Sequence, residues 1–191
     1  LKLVNRIISD NQIATNKITF FDAPISGGEA GAINGTLSVM LGGGNKNSLI
    51  VRKLIKTFAK NIVHVGPNGH GQLTKMINQI CIAGLLQGLS EALSFGNQKN
   101  LDMNKVLDAI SQGAAGSWQL TNRGETMVDR KFDFGFAVKL MRKDLGICLD
   151  HASNNDISLP ITSIVNQFYS EVQRNGGSKF DTSSLLTRFD S

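Results

Sequence analysis

The helical periodicity that begins at Gln72 is what most constrains the fold of this chain. From Gln72 to Asn97 apolar residues recur at three- and four-residue spacing: Leu73, Met76, Ile77, Ile80, Leu85, Leu89, Ala92 and Leu93. Helical patterning then continues to the end. Asp102 reads as an N-cap, with Leu101 and Val106 spaced as a hydrophobic staple and Gly113 as the stop. Further helices are predicted over Trp118 to Val128 and over Phe136 to Ser153. The second of these puts Leu140, Met141, Leu145, Cys148, Leu149 and Ala152 on its buried side. Ser158-Leu159-Pro160 opens a last helix that ends near Asn175-Gly176-Gly177.

Ahead of Gln72 the pattern changes. Residues 1–9 read as the end of a helix. Short apolar runs at Ile18 to Phe21, Leu37 to Leu41 and Ile62 to Val65 read as strands. A helix over about Ser48 to Thr57 carries Leu49, Ile50, Leu54 and Ile55, followed by Phe58, at helical spacing. Residues 1–66 are therefore predicted as α/β and residues 67–191 as all-α.

Composition excludes several classes. The apolar stretch Ile80 to Leu93 is interrupted by Gln87, Ser90 and Glu91, so it predicts a buried helix and no membrane span. The two cysteines, Cys81 and Cys148, lack CxxC spacing and predict buried, reduced thiols in a cytoplasmic protein. His64, His70 and His151 have no metal-ligand spacing, so no metal is expected. The net charge of +5 suits an anionic substrate or cofactor, but it is spread without a basic run, and no nucleic-acid partner is expected.

Two glycine-punctuated segments carry candidate chemistry. Asp22-Ala23-Pro24 leads into Ser26-Gly27-Gly28, where a hydroxyl stands beside two bare backbone N–H groups, a means of holding a carboxylate without a cation. On its own this run reads as a turn after a strand. Gly66 to Gly71 then precedes Gln72, and on the following helix Lys75, Asn78 and Gln79 share one face. On its own Lys75 reads as a solvated first-turn lysine. A lysine acts as a base near neutrality only if desolvation or a nearby cation lowers its pKa from about 10.4, and Lys143 is a candidate for that cation.

Together these segments resemble the β-hydroxyacid dehydrogenase family, which includes 3-hydroxyisobutyrate dehydrogenases and tartronate semialdehyde reductases. Residues 22–37 match its DAPVSGGxxGAxxGTL pattern with Ile25 for Val, Gly69 to Asn78 match GxGxxxKxxN, and Gly135 to Leu145 match GFxxxLMxKDL. The resemblance implies a Rossmann-like α/β remnant followed by an all-α domain like the C-terminal domain of 6-phosphogluconate dehydrogenase. It implies NAD or NADP as cofactor and a small carboxylate substrate, with Lys75 as general acid–base and Asn78 and Gln79 as orienting amides. Ser26, Gly27 and Gly28 would hold the carboxylate, and Trp118 would wall the substrate pocket. Phe136, Lys143 and Asp144 would lie beside the cofactor. The family often has Asn where this chain has Gln79, which leaves open which amide meets substrate. A homodimer or homotetramer through the helical domain is implied. Gly84 and Gly88 form a small-residue stripe suited to close helix contact, within or between subunits.

No GxGxxG turn opens the chain. The expectation is a C-terminal part of a longer enzyme, inactive alone and a weak binder of the dinucleotide. Two other readings are a dehydrogenase-fold scaffold without chemistry and an imine-type reductase. Intact Ser26, Lys75, Asn78 and Lys143 count against the first, and Lys75 against the second.

Overall fold

The computed structural model describes residues 19–190; the helix expected at residues 1–9 and the start of the first expected strand lie outside them. The chain divides into two compact units, one up to Asn78 and one from Gln79.

In the first unit the sheet is built around β3 (Leu37–Gly43). One side of β3 pairs antiparallel with β1 (Phe21–Asp22) and β2 (Ile25–Ser26), and the other pairs parallel with β4 (Ala59–Gly66). β1 and β2 are one extended run broken at Pro24, which has no N–H to donate, although its carbonyl still accepts the Met40 N–H at 3.0 Å. The parallel pairing of β3 with β4 requires a crossover, supplied by α2 (Asn45–Ile55). Leu37, Val39, Leu41, Ile55, Ala59 and Ile62 form the core, with Phe21 and Val51 against it. Between β2 and β3, where the sequence reading places no element, stands a six-residue helix, α1 (Gly28–Ile33). The turn into it requires positive φ at both Gly27 (127°) and Gly28 (62°), which side-chain-bearing residues rarely adopt.

Helix α3 (His70–Gln98) is the long helix the periodicity predicts. α4 (Met103–Ser111), α5 (Trp118–Val128), α6 (Val138–Ser153) and α7 (Pro160–Arg174) follow, and the described chain closes with 3₁₀ turns at Gly177–Lys179 and Thr182–Phe189. After α3 no strand is formed among the described residues, only an isolated bridge between Ala137 and Asp181. The core of this unit runs from Ala83, Leu86 and Leu93 through Met141, Leu145 and Tyr169 to Leu185 and Leu186. Each leucine or methionine side chain among them taken fully out of water contributes about 1.5–3 kcal/mol.

Burial departs from the sequence expectation in several places. α3 is not buried all round: Ile77, Leu85 and Phe95 are exposed, as is Cys81, so only Cys148 is the buried thiol expected of both. On α6 the core stripe is Val138, Met141, Leu145, Cys148 and Ala152; Leu140, one residue before Met141 and so turned off that stripe, is exposed. Of the apolar residues read on α2, Leu49, Ile50 and Leu54 are exposed and Ile55 is buried. Gly84 and Gly88 make no close helix contact within the described chain, since a Cβ at either would meet nothing within 4 Å. No helix among the described residues is long and apolar enough to cross a membrane.

Candidate active site

In the first unit the two glycine-punctuated segments are joined by one side chain. Asp22, at the end of β1, is 4% exposed. Its Oδ1 accepts the Gly69 N–H at 2.7 Å and its Oδ2 the Gln72 N–H at 2.9 Å. These are among the donors that a helix start leaves unsatisfied, and a carboxylate also complements the positive end of the helix dipole. Gly71 belongs to the same junction: a Cβ there would run into the Met40 carbonyl and the Asp22 carboxylate. Asp22, which in the sequence only leads into the Ser26-Gly27-Gly28 run, thus caps α3. Lys75 and Asn78, both half-buried, follow within the next two turns. Ser26, half-buried, pairs with Ser38 at the end of β2 in the same unit, and Gly27 and Gly28 stand exposed beside it at the start of α1.

In the second unit Gln79 and Asp144 are brought together. Gln79 is 2% exposed, and its Nε2 donates to Asp144 Oδ2 at 2.6 Å. Asp144 Oδ1 pairs with the Lys143 ammonium at 2.8 Å, while the Lys143 side chain remains 61% exposed. One turn further along α6, the Cys148 thiol is pushed up to about 11, first by burial and then by the negative charge of Asp144.

Trp118 is the first residue of α5, whose start is capped by Ser117 Oγ accepting the Leu120 N–H at 3.0 Å. Its ring is exposed and lies 5.1 Å from the Arg123 guanidinium. Phe136 precedes α6 rather than starting it, half-buried against the core, with its N–H donated to Asp181 Oδ2 at 2.9 Å. Neither Arg123 nor Asp181 stands out in the sequence, because their partners lie far along the chain and no local pattern marks them. Among the described residues, no group of three or more His, Cys, Asp or Glu side chains gathers to hold a metal.

Comparison with known proteins decides the family. Residues 69–189 match the model for the NAD-binding region of NADP-dependent 3-hydroxyisobutyrate dehydrogenase, and residues 4–66 match the NAD-binding domain of 6-phosphogluconate dehydrogenase. The chain belongs to the β-hydroxyacid dehydrogenase family. It is 53% identical over 173 residues to an uncharacterized oxidoreductase of Shewanella frigidimarina, covering 91% of this chain and 60% of that protein. It is 40% identical over 167 residues to the 2-hydroxy-3-oxopropionate reductase of Escherichia coli, covering 87% and 57%. The Mycobacterium tuberculosis 3-hydroxyisobutyrate dehydrogenase with L-serine superposes with a TM-score of 0.83 at 25% identity, over 90% of this chain and 61% of that one. The chain thus spans about three-fifths of the length of these relatives.

Both matched family models describe NAD-binding regions of dehydrogenases, so the cofactor of the family is a nicotinamide dinucleotide, NAD or NADP. Two of its side chains fit such a group by their chemistry: the outward-facing ammonium of Lys143 and the half-buried ring of Phe136. Asp144 fits less well, because both its oxygens are engaged by Gln79 and Lys143.

Proposed function

We propose that this β-hydroxyacid dehydrogenase moves a hydride between a nicotinamide cofactor and a short β-hydroxy acid, with Lys75 as the general acid–base. The observation that carries the reading is the Asp22 carboxylate accepting from Gly69 and Gln72. It ties the strand that leads into Ser26-Gly27-Gly28 to the first turn of the helix that carries Lys75 and Asn78. The group meant to hold a carboxylate and the group meant to move a proton are thereby referenced to one rigid point.

In this reading Ser26 Oγ–H and the Gly27 and Gly28 amides hold the substrate carboxylate. Lys75 takes the proton of the β-hydroxyl in oxidation and returns it in reduction. Asn78 orients that hydroxyl, and Gln79, turned inward to Asp144, positions Asp144 and Lys143 rather than touching substrate. The nicotinamide, when bound, accepts or supplies the hydride. Lys143 and Phe136 would hold it, and Trp118 would wall the substrate pocket. Fixing the carboxylate and hydroxyl in one orientation supplies a large part of the rate enhancement, because the reacting groups no longer search for alignment. Association into a dimer or tetramer through the helical domain completes the proposal.

The test is turnover by the intact enzyme with NAD and NADP across short β-hydroxy acids, their α-hydroxy isomers and simple alcohols. β-Hydroxy acids are expected to be oxidised in preference to both. Equal turnover of alcohols lacking a carboxylate would remove the role given to Ser26, Gly27 and Gly28.

A further inference from the structure

Asp181 is 1% exposed, yet it organises a surface feature. Its Oδ1 accepts the Ser183 N–H at 3.0 Å and the Ser183 hydroxyl at 2.7 Å, its Oδ2 accepts the Phe136 N–H, and Arg123 Nε lies 3.2 Å from Oδ1. Around it the backbone interlocks: Asp181 N–H donates to Phe132 O at 2.8 Å, Thr182 N–H to Phe136 O at 3.0 Å and Val138 N–H to Phe180 O at 2.8 Å. Gly135, at φ +73°, leaves no room for a Cβ against the Asp181 carboxylate. The glycine of the Gly135-Phe136 pair is therefore required by this carboxylate.

Arg123 carries the order outward. Its guanidinium carbon lies over two exposed rings, 5.1 Å from the Trp118 centroid and 5.0 Å from that of Phe134, and its Nη1 donates to Asn122 O at 3.0 Å. An exposed indole at a helix start would otherwise sample several rotamers, and a long arginine side chain still more. The buried carboxylate holds the guanidinium, and the planar guanidinium holds the indole.

We propose that Asp181 and Arg123 are positioning residues that lock the Trp118 indole in one orientation, and so set the fit of the substrate's non-reacting end. This rests on the reading of Trp118 as a wall of the substrate pocket. Because neither residue touches the reacting atoms in this reading, their loss falls on substrate affinity and not on the proton or hydride step.

Trp118 is the only tryptophan of the 191-residue chain, so its fluorescence reports this orientation without activity. Arg123→Lys keeps the charge and loses the planar, multi-donor guanidinium. It is expected to increase acrylamide quenching of Trp118 and lower its anisotropy in this chain. In the intact enzyme it should raise KM for the β-hydroxy acid by roughly 2–10-fold, with kcat held within about two-fold, the size of effect a lost cation–π contact produces. Asp181→Asn should do the same more strongly; where it fails to fold, Arg123→Lys alone decides. Trp118→Ala is measured alongside. If Trp118→Ala raises KM while Arg123→Lys leaves both KM and quenching at wild-type values, the positioning role is overturned and the pocket reading stands. If Trp118→Ala leaves KM unchanged, the pocket reading fails and the inference falls with it.

Discussion

The side-chain amide of Gln79 donates a 2.6 Å hydrogen bond to the carboxylate of Asp144, 65 residues further along the chain. Gln79 is buried at 2% exposure, so this contact links α3 to α6 inside the helical unit. An Asn-Gln pair on α3 therefore has divided labour in the proposed mechanism: Asn78 orients substrate, and Gln79 holds the element that carries Lys143.

Replacing Gln79 tests that tether. Gln79→Leu leaves the carboxylate without its donor, and hydrogen bonds to charged groups are worth about 1.5–3 kcal/mol. Urea unfolding followed by circular dichroism should show a loss of that order. Gln79→Glu should cost more, because it sets a second carboxylate against Asp144. Wild-type stability in both variants would show that the contact contributes nothing.

Asp22→Asn keeps the shape of the side chain but presents an amide N–H₂ where a carboxylate oxygen accepted Gly69 or Gln72. One backbone donor at the start of α3 is then left facing another. The expected loss is about 1–3 kcal/mol, the cost of an unsatisfied buried polar group. Because the same residue references the Lys75 helix to the Ser26 turn, kcat in the intact enzyme should fall as well. Unfolding midpoints and kcat measured on the same preparations check both; a fall in stability with kcat unchanged would separate the cap from the chemistry.

Alkaline pH should destabilise the helical unit. The Tyr169 hydroxyl, fully buried, donates to Thr182 O at 3.0 Å, and burial followed by the charge of Asp181 pushes it well above its ordinary pKa. The Cys148 thiol is likewise pushed up to about 11. Both groups are neutral when protonated, and in the unfolded chain they ionise near ~10 and ~8.5. Above pH ~8.5 the unfolded state therefore holds fewer protons than the folded one, and stability present below that pH is lost as pH rises toward 11 and beyond. Tyr169 is the only tyrosine, so its phenolate absorbance should appear together with loss of the helical signal. Phenolate formation near pH 10 in a chain with native circular dichroism would contradict its burial.

The sequence made the helical half legible because that half is written in local terms. Asp102 caps α4 through Lys105 N–H as its position predicts, Pro160 starts α7, and Asn175-Gly176 ends it. The site motifs were legible as motifs, since Ser26, Lys75 and Lys143 stand at recognisable spacings. The long-range contacts inside each unit were not. Asp22 meets Gly69, Arg123 meets Asp181 and Gln79 meets Asp144 only because the chain returns on itself, and no local periodicity encodes those returns. Exposure was illegible for a related reason. Ile77, Leu85 and Phe95 on α3 obey helical spacing as well as Leu86 and Leu93 do, but only the latter find a partner surface. The small helix α1 was missed because Gly28, Gly31 and Gly35 read as loop punctuation, although Glu29, Ala30 and Ala32 are acceptable helix formers.

Steady-state kinetics of Lys75→Ala in the intact enzyme test the proposed chemistry most directly, with Ser26→Ala as the contrast. General acid–base catalysis contributes ~10²–10⁴-fold, so Lys75→Ala should lower kcat by at least that order and leave dinucleotide affinity within about two-fold. Ser26→Ala should instead show its loss largely as a higher KM for the hydroxy acid. Near wild-type kcat in Lys75→Ala across a panel of short β-hydroxy acids would make Lys75 a structural helix lysine and remove it from the reaction.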